Sequence, residues 1–141
     1  MVGPYSRAMA AADVVQTYLD ALPGDSRCVA AGEWGISVAA EAAGGWPLDI
    51  GLRLADGLLR AKAFAVPAHE AISPWVLLSW NRQTRFVRFG STRDGDIWVH
   101  GDLAASEVCE PALDRLLGLV VQGALAVRDY AGAVGTTPQD S

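Results

Sequence analysis

The chain is short of the residues on which metal and redox chemistry depend, with two cysteines and two histidines among 141 positions. Cys28 and Cys109 lie 81 positions apart, which fits neither a chelating pair nor the dense disulfide framework of a small secreted domain. Isolated, reduced thiols are expected. Basic residues are in deficit, 11 against 16 acidic, for a formal charge of -5. No basic face for gripping nucleic acid or anionic lipid is evident, so neither is expected as a direct partner. No stretch approaches the roughly 20 apolar residues of a membrane span. Asp13, Gln16 and Asp20 interrupt what would be the apolar core of a signal sequence, and a cytoplasmic protein is expected.

What is present is apolar: 51% hydrophobic residues against 19% charged, too greasy for disorder and enough for one core. A single domain is expected over residues 1–131. Residues 132–141 are Gly, Thr, Pro and polar groups without periodicity and read as a flexible tail.

The apolar positions Ala8, Ala12, Val15, Leu19 and Leu22 recur at steps of three and four, predicting a helix that Pro23-Gly24 ends. Trp34, Ile36, Val38 and Ala40 alternate with small residues and predict a strand. The clearest alternation, Trp46, Leu48, Ile50, Leu52 and Leu54, predicts a second. Asp56-Gly57 then turns the chain, and Leu58 to Val66 returns antiparallel. One face of this strand is Leu59, Ala61, Ala63 and Ala65, small enough for a helix to pack close. Ser73-Pro74 reads as an N-cap with Pro at the first position of a short helix to Arg82, with a buried strand as the competing reading. Arg85 to Ser91 and Asp96 to Leu103 flank Asp94-Gly95 as a second hairpin. A last helix carries Leu113, Leu116, Leu117, Val120, Ala124 and Val127 on one stripe. The order α-β-β-β-α-β-β-α predicts an α+β domain in which helices cover one face of an antiparallel sheet. Trp34, Trp46, Trp75 and Trp80 each sit in apolar segments and are expected in the core.

Catalytic signals are missing. There is no Gly-x-Ser-x-Gly elbow and no nucleotide-binding glycine pattern. Asp96, His100 and Asp102 share a strand parity, but the polar face of an edge strand gives the same pattern and the fit to known coordination is poor. Cys109 stands between Glu107 and Glu110, an environment that disfavours a thiolate. No catalytic residue, metal or cofactor is assigned, and the chain reads as a non-enzyme.

Binding is better supported. Arg60, Lys62 and Phe64 project together from one strand, with Phe86 and Arg88, and Trp98 and His100, from the others. Aromatic and Arg side chains on an uncovered sheet are the types enriched in protein interfaces, and these seven residues are the candidate partner site. The plainer reading is that Phe86 and Trp98 form a cross-strand pair that steadies a hairpin. Leu119, Val121 and Leu125 lie beyond the stripe of the last helix, so a second cover is required, either the chain's own sheet or a second subunit at a dimer interface.

The stretches Leu77-Leu78-Ser79-Trp80-Asn81-Arg82, Phe86-Val87-Arg88-Phe89 and Asp94-Gly95-Asp96-Ile97-Trp98-Val99 resemble the YbjN family of bacterial proteins, over about Val14 to Val127. Those proteins look like type III secretion chaperones in fold. The resemblance implies a non-enzymatic protein, often a homodimer, that holds a segment of a client protein. It supplies no catalytic residues, and Asn81 matches the family's Asn at the helix exit. The alternative reading is a small-ligand or metal-responsive regulator built on His100 and its acidic neighbours.

Overall fold

Six strands, β1 (Asp25–Ala30), β2 (Glu33–Val38), β3 (Leu48–Ala55), β4 (Leu58–Val66), β5 (Val87–Ser91) and β6 (Ile97–Ala104), form one antiparallel sheet in the order β1-β2-β3-β4-β6-β5. Three helices, α1 (Pro4–Ala21), α2 (Pro74–Asn81) and α3 (Glu110–Gly135), complete the fold. The computed structural model describes residues 4–135.

Period-two patterning sorts each central strand into two faces. Leu48, Ile50 and Leu52 of β3, Leu59, Ala61, Ala63 and Ala65 of β4, and Ile97 and Val99 of β6 are buried toward the helices. The intervening Asp49, Arg53, Arg60 and Lys62 are exposed on the other face. Asp56 and Gly57 both have positive φ, 54° and 77°, as a two-residue turn matched to strand twist requires.

All six residues of the expected α3 stripe are buried. α3 crosses β4, β6 and β5 closely because the surfaces it meets are small: the alanines of β4 on one side and its own Gly123 on the other. A Cβ at Gly123 would stand 3.0 Å from Val99 Cγ1. α1 adds Ala11, Val15 and Leu19 to the core, while Ala12 and Leu22 are partly buried and the side chain of Ala8 lies outside those described. Gln16 accepts from the Trp34 indole at 2.9 Å. Tyr18 donates its hydroxyl to Asp114 of α3, and burial together with that carboxylate pushes the phenol well above its ordinary pKa.

The segment at Ser73-Pro74 is the helix of the two readings. Ser73 caps α2 by accepting from the Val76 amide, and Pro74 stands in the first turn. Asn81, the last residue of α2, reaches the edge of β5, where its amide donates to Phe89 O at 2.9 Å and accepts from Phe89 N at 2.7 Å.

Three expectations need amendment. β1 is an additional edge strand, exposed along almost its whole length, so its residues carry no alternation to read. α3 runs to Gly135, so residues 132–135 are helical, and 136–141 lie outside the described residues. Two of the four tryptophans are outside the core: Trp75 is 79% exposed and Trp46 38%. Trp75 sits in the first turn of α2, on a helix that buries Leu77 and leaves Leu78 exposed. Trp46 precedes β3 and covers an arginine, described below.

Candidate functional site

The outer face of the sheet carries most of the expected binding residues, and strand register arranges them in three rows. The first is Glu33, Arg53, Arg60 and Asp102, each opposite the next on the neighbouring strand. Its charges neutralise one another through Arg60–Asp102 at 2.8 Å and Arg53–Glu33 at 3.7 Å. The second row spans all six strands as Arg27, Gly35, Gly51, Lys62, His100 and Arg88. It contains no carboxylate. The third is aromatic. Phe64 stands opposite Trp98 with ring centroids 5.5 Å apart, and Trp46 adds an edge contact to Phe64 at 6.2 Å.

Burial holds the His100 imidazole below its ordinary pKa. Asp102 opposes that effect, while Arg60, Lys62 and Arg88 reinforce it. The Trp98 indole N–H is buried without a hydrogen-bond partner. Arg88 directs Nη1 to its neighbour Val87 O at 2.8 Å, so its charge is turned toward the β5 edge.

Phe86 does not belong to this face. It precedes β5 with φ of 68°, which breaks the alternation, and its ring lies 5.8 Å from the Arg115 guanidinium of α3. The expected pairing of Phe86 with Trp98 is therefore replaced by that of Phe64 with Trp98. Asp96, His100 and Asp102 do not converge: Asp96 accepts from the Ala68 amide in the turn before β6, and Asp102 is engaged by Arg60. Among the described residues, no group of three His, Cys, Asp or Glu side chains is placed to hold a metal ion. Cys28 and Cys109 are both exposed and unpaired with one another.

The helix side holds a second candidate that the sequence pattern did not reveal. Between α1 and α3 a groove of about 820 Å³ opens over the sheet, floored by Ile36, Val38 and Ile50 and walled by Leu22, Leu117 and Val121. The cause is width. Six strands span about 24 Å while one helix covers about 10 Å, so α3, lying over β4, β6 and β5, leaves β2 and β3 to α1, which covers Trp34 and the β3 side chains but leaves Ile36 and Val38 only half-buried. Gly118 of α3 lines the groove, and a Cβ there would meet nothing within 4 Å. Glycine in a helix interior costs about 1 kcal/mol relative to alanine. An unexplained glycine at mid-helix was the available signal. Leu119, Val121 and Leu125 are all half-buried against the core, and Val121 also belongs to this wall.

No protein-family model matches the sequence, and no curated protein is similar to it by sequence. Solved structures do match. The chain is similar to a chain in the complex of the Yersinia pestis type III secretion chaperone SycH with a fragment of YscM2, at TM-score 0.59 and 14% identity, covering 84% of this chain and 98% of that one. It is similar to a chain of the HopA1–SchA chaperone–effector complex, at TM-score 0.63 and 12% identity, covering 87% and 94%. This chain has the type III secretion chaperone fold. A chain of the ExsC–ExsE complex gives a third match, at TM-score 0.59 and 14% identity over 93% and 97% of the two chains. Chaperone-like architecture thus extends over nearly the whole molecule. Among the described residues, no helix is long and apolar enough to cross a membrane.

Proposed function

We propose that this protein is a non-enzymatic chaperone that holds a segment of a partner protein, acting as a homodimer. The observation that carries the reading is the groove between α1 and α3, an apolar channel over Ile36, Val38 and Ile50 that no described element fills. A channel of this kind suits the apolar face of an amphipathic segment laid between helices. The solved structures of the same fold support it, since two of them are described as chaperone complexes. The YbjN resemblance belongs to the same reading, through Asn81 and the Asp94-Gly95 turn.

Gly118→Leu tests it. The leucine side chain fills the groove, and the substitution favours the helix by about 1 kcal/mol, so loss of binding cannot be ascribed to unfolding. Partners isolated from the source cell on the tagged wild-type chain are expected to disappear on the Gly118→Leu chain. Identical capture by the two overturns the reading. Sedimentation equilibrium tests the dimer: a monomer at micromolar concentration removes that half and leaves the partner-binding half standing.

A further inference from the structure

The groove between α1 and α3 and the hollow beside it carry charge of one sign. This hollow, of about 410 Å³, is bordered by Asp13 and Thr17 of α1 and by Glu110 and Asp114 of α3. Tyr18, Leu22 and Asp114 line both cavities, so the two adjoin at the hydrogen bond from the Tyr18 hydroxyl to Asp114. Asp25, at the start of β1, adds a further carboxylate to the groove. No Lys, Arg or His lines either cavity, and among the described residues Asp13, Asp25, Glu110 and Asp114 form no ion pair.

The arrangement costs α3 stability. Glu110 and Asp114 stand one turn apart on the helix, where like charges repel. Glu110, in the first turn, is favoured by the helix N-terminus, but Asp114 lies beyond it. Burial raises the pKa of the Tyr18 phenol, and Asp114 and Glu110 raise it further, so both carboxylates are felt where the two cavities meet. The arginines of α3 turn away from that place, Arg115 toward the Phe86 ring and Arg128 toward carbonyls beneath Trp46.

We infer that the segment held in the groove is basic as well as apolar: its apolar stripe lies over Ile36 and Val38, and lysine or arginine side chains beside that stripe meet Glu110 and Asp114 on the α3 side and Asp13 and Asp25 on the α1 side. The inference rests on the partner-binding reading above and names the chemistry of the partner at the same groove. Half-buried Ile36, Val38 and Val121 supply the apolar seat, and the carboxylates at the rim select the sign of what occupies it. A second copy of this chain is the poorer occupant, because its formal charge of -5 repeats the sign of the rim.

The probe is a fluorescein-labelled amphipathic peptide, with leucine at i, i+3, i+4 and i+7 and lysine at the flanking positions, read by anisotropy against the full chain. Two counterparts carry glutamine or glutamate in place of lysine. The lysine peptide is expected to bind at least about tenfold more tightly than the glutamine peptide and to weaken as salt rises, with the glutamate peptide the weakest. The double change Glu110→Gln and Asp114→Asn keeps an acceptor for the Tyr18 hydroxyl. It is expected to lower affinity for the lysine peptide about tenfold and to leave the glutamine peptide unchanged, which shows the groove intact. Gly118→Leu is expected to abolish binding of the lysine peptide. No measurable binding of that peptide, equal binding of the lysine and glutamate peptides, or unchanged affinity in the double variant overturns the inference. So does a groove closed by a second copy, read as a wild-type dimer that Gly118→Leu converts to a monomer. Failure here with partner capture still abolished by Gly118→Leu removes the basic occupant and leaves the chaperone reading intact. Failure of Gly118→Leu to change capture removes that reading even where the peptide binds.

Discussion

Arg128 is a buried cation with no carboxylate within ion-pair distance. It lies on α3 four residues past Ala124, on the helix's inner stripe, and is only 7% exposed. Its guanidinium donates instead to backbone carbonyls, Nε to Ala65 at 2.9 Å, Nη1 to Ala43 and Trp46, and Nη2 to Pro47 at 3.1 Å. The Trp46 ring covers it at 3.5 Å. One side chain thus ties the loop before β3 and the bulged end of β4 to the last helix. Burial lowers its pKa, yet a guanidinium remains charged at any ordinary pH. Arg128→Leu orphans four carbonyls and is expected to destabilise the fold by about 3 kcal/mol or more in urea denaturation, with Arg128→Lys falling between it and wild type. Trp98→Phe is the opposite case. The indole N–H has no partner to lose, so the change is expected to be neutral or stabilising by up to about 1 kcal/mol. The sequence showed Arg128 on an apolar stripe but gave no sign of carbonyls that lie 63 to 85 positions away.

At the scale of elements, the two edges of the sheet are treated differently. The β5 edge is occupied: Asn81 bonds both backbone groups of Phe89, and Arg88 bonds Val87 O. The amide acts as a short length of strand, which closes an edge that could otherwise pair with another chain. Asn81→Ala is expected to cost about 2 kcal/mol and to raise the rate of aggregation near the melting temperature, measured by light scattering. The same helix leaves Trp75 and Leu78 exposed, at 79% and 56%. If the dimer uses α2, the double change of Trp75 and Leu78 to Ala is expected to shift sedimentation to the monomer. If it uses α3, as the spacing of Leu119, Val121 and Leu125 predicts, changes there do so instead. The expected boundaries of β4 and α2 and the far end of β3 were legible because each combines strong periodicity with a turn or cap, Asp56-Gly57 or Ser73-Pro74, whereas β3 starts at Leu48 and not at the expected Trp46. β1 was not, because an edge strand exposed on both faces has no periodicity to impose.

Across the whole molecule, His100 joins what three strands contribute, β4, β5 and its own β6. Its pKa is lowered mainly by burial, with Arg60 and Lys62 of β4 and Arg88 of β5 adding to the effect. In the unfolded chain the imidazole titrates near its ordinary value, about 6.5, so on acidification the unfolded state takes up its proton first. Stability is therefore expected to fall as pH drops through about 6.5 toward the lowered native value, and then to level in this contribution. His100→Asn removes it. A thermal melt series between pH 7 and pH 5 is expected to show a shallower decline for the variant than for wild type.

The sequence by itself determined which side chains face which way. Period two along β3, β4 and β6 and the stripe of α3 follow from local backbone geometry, so the α+β class, the helix-covered face and the outward set of Arg60, Lys62, Phe64, Trp98 and His100 could all be read from it. Only the tertiary structure decided register and coverage. That Arg27, Gly35, Gly51, Lys62, His100 and Arg88 form a single row depends on how six strands align. That Phe86 leaves the row depends on one positive φ. The groove exists because the sheet is wider than the helix laid on it. Each of these is set by residues distant along the chain, and spacing within one segment carries no record of its neighbours' alignment.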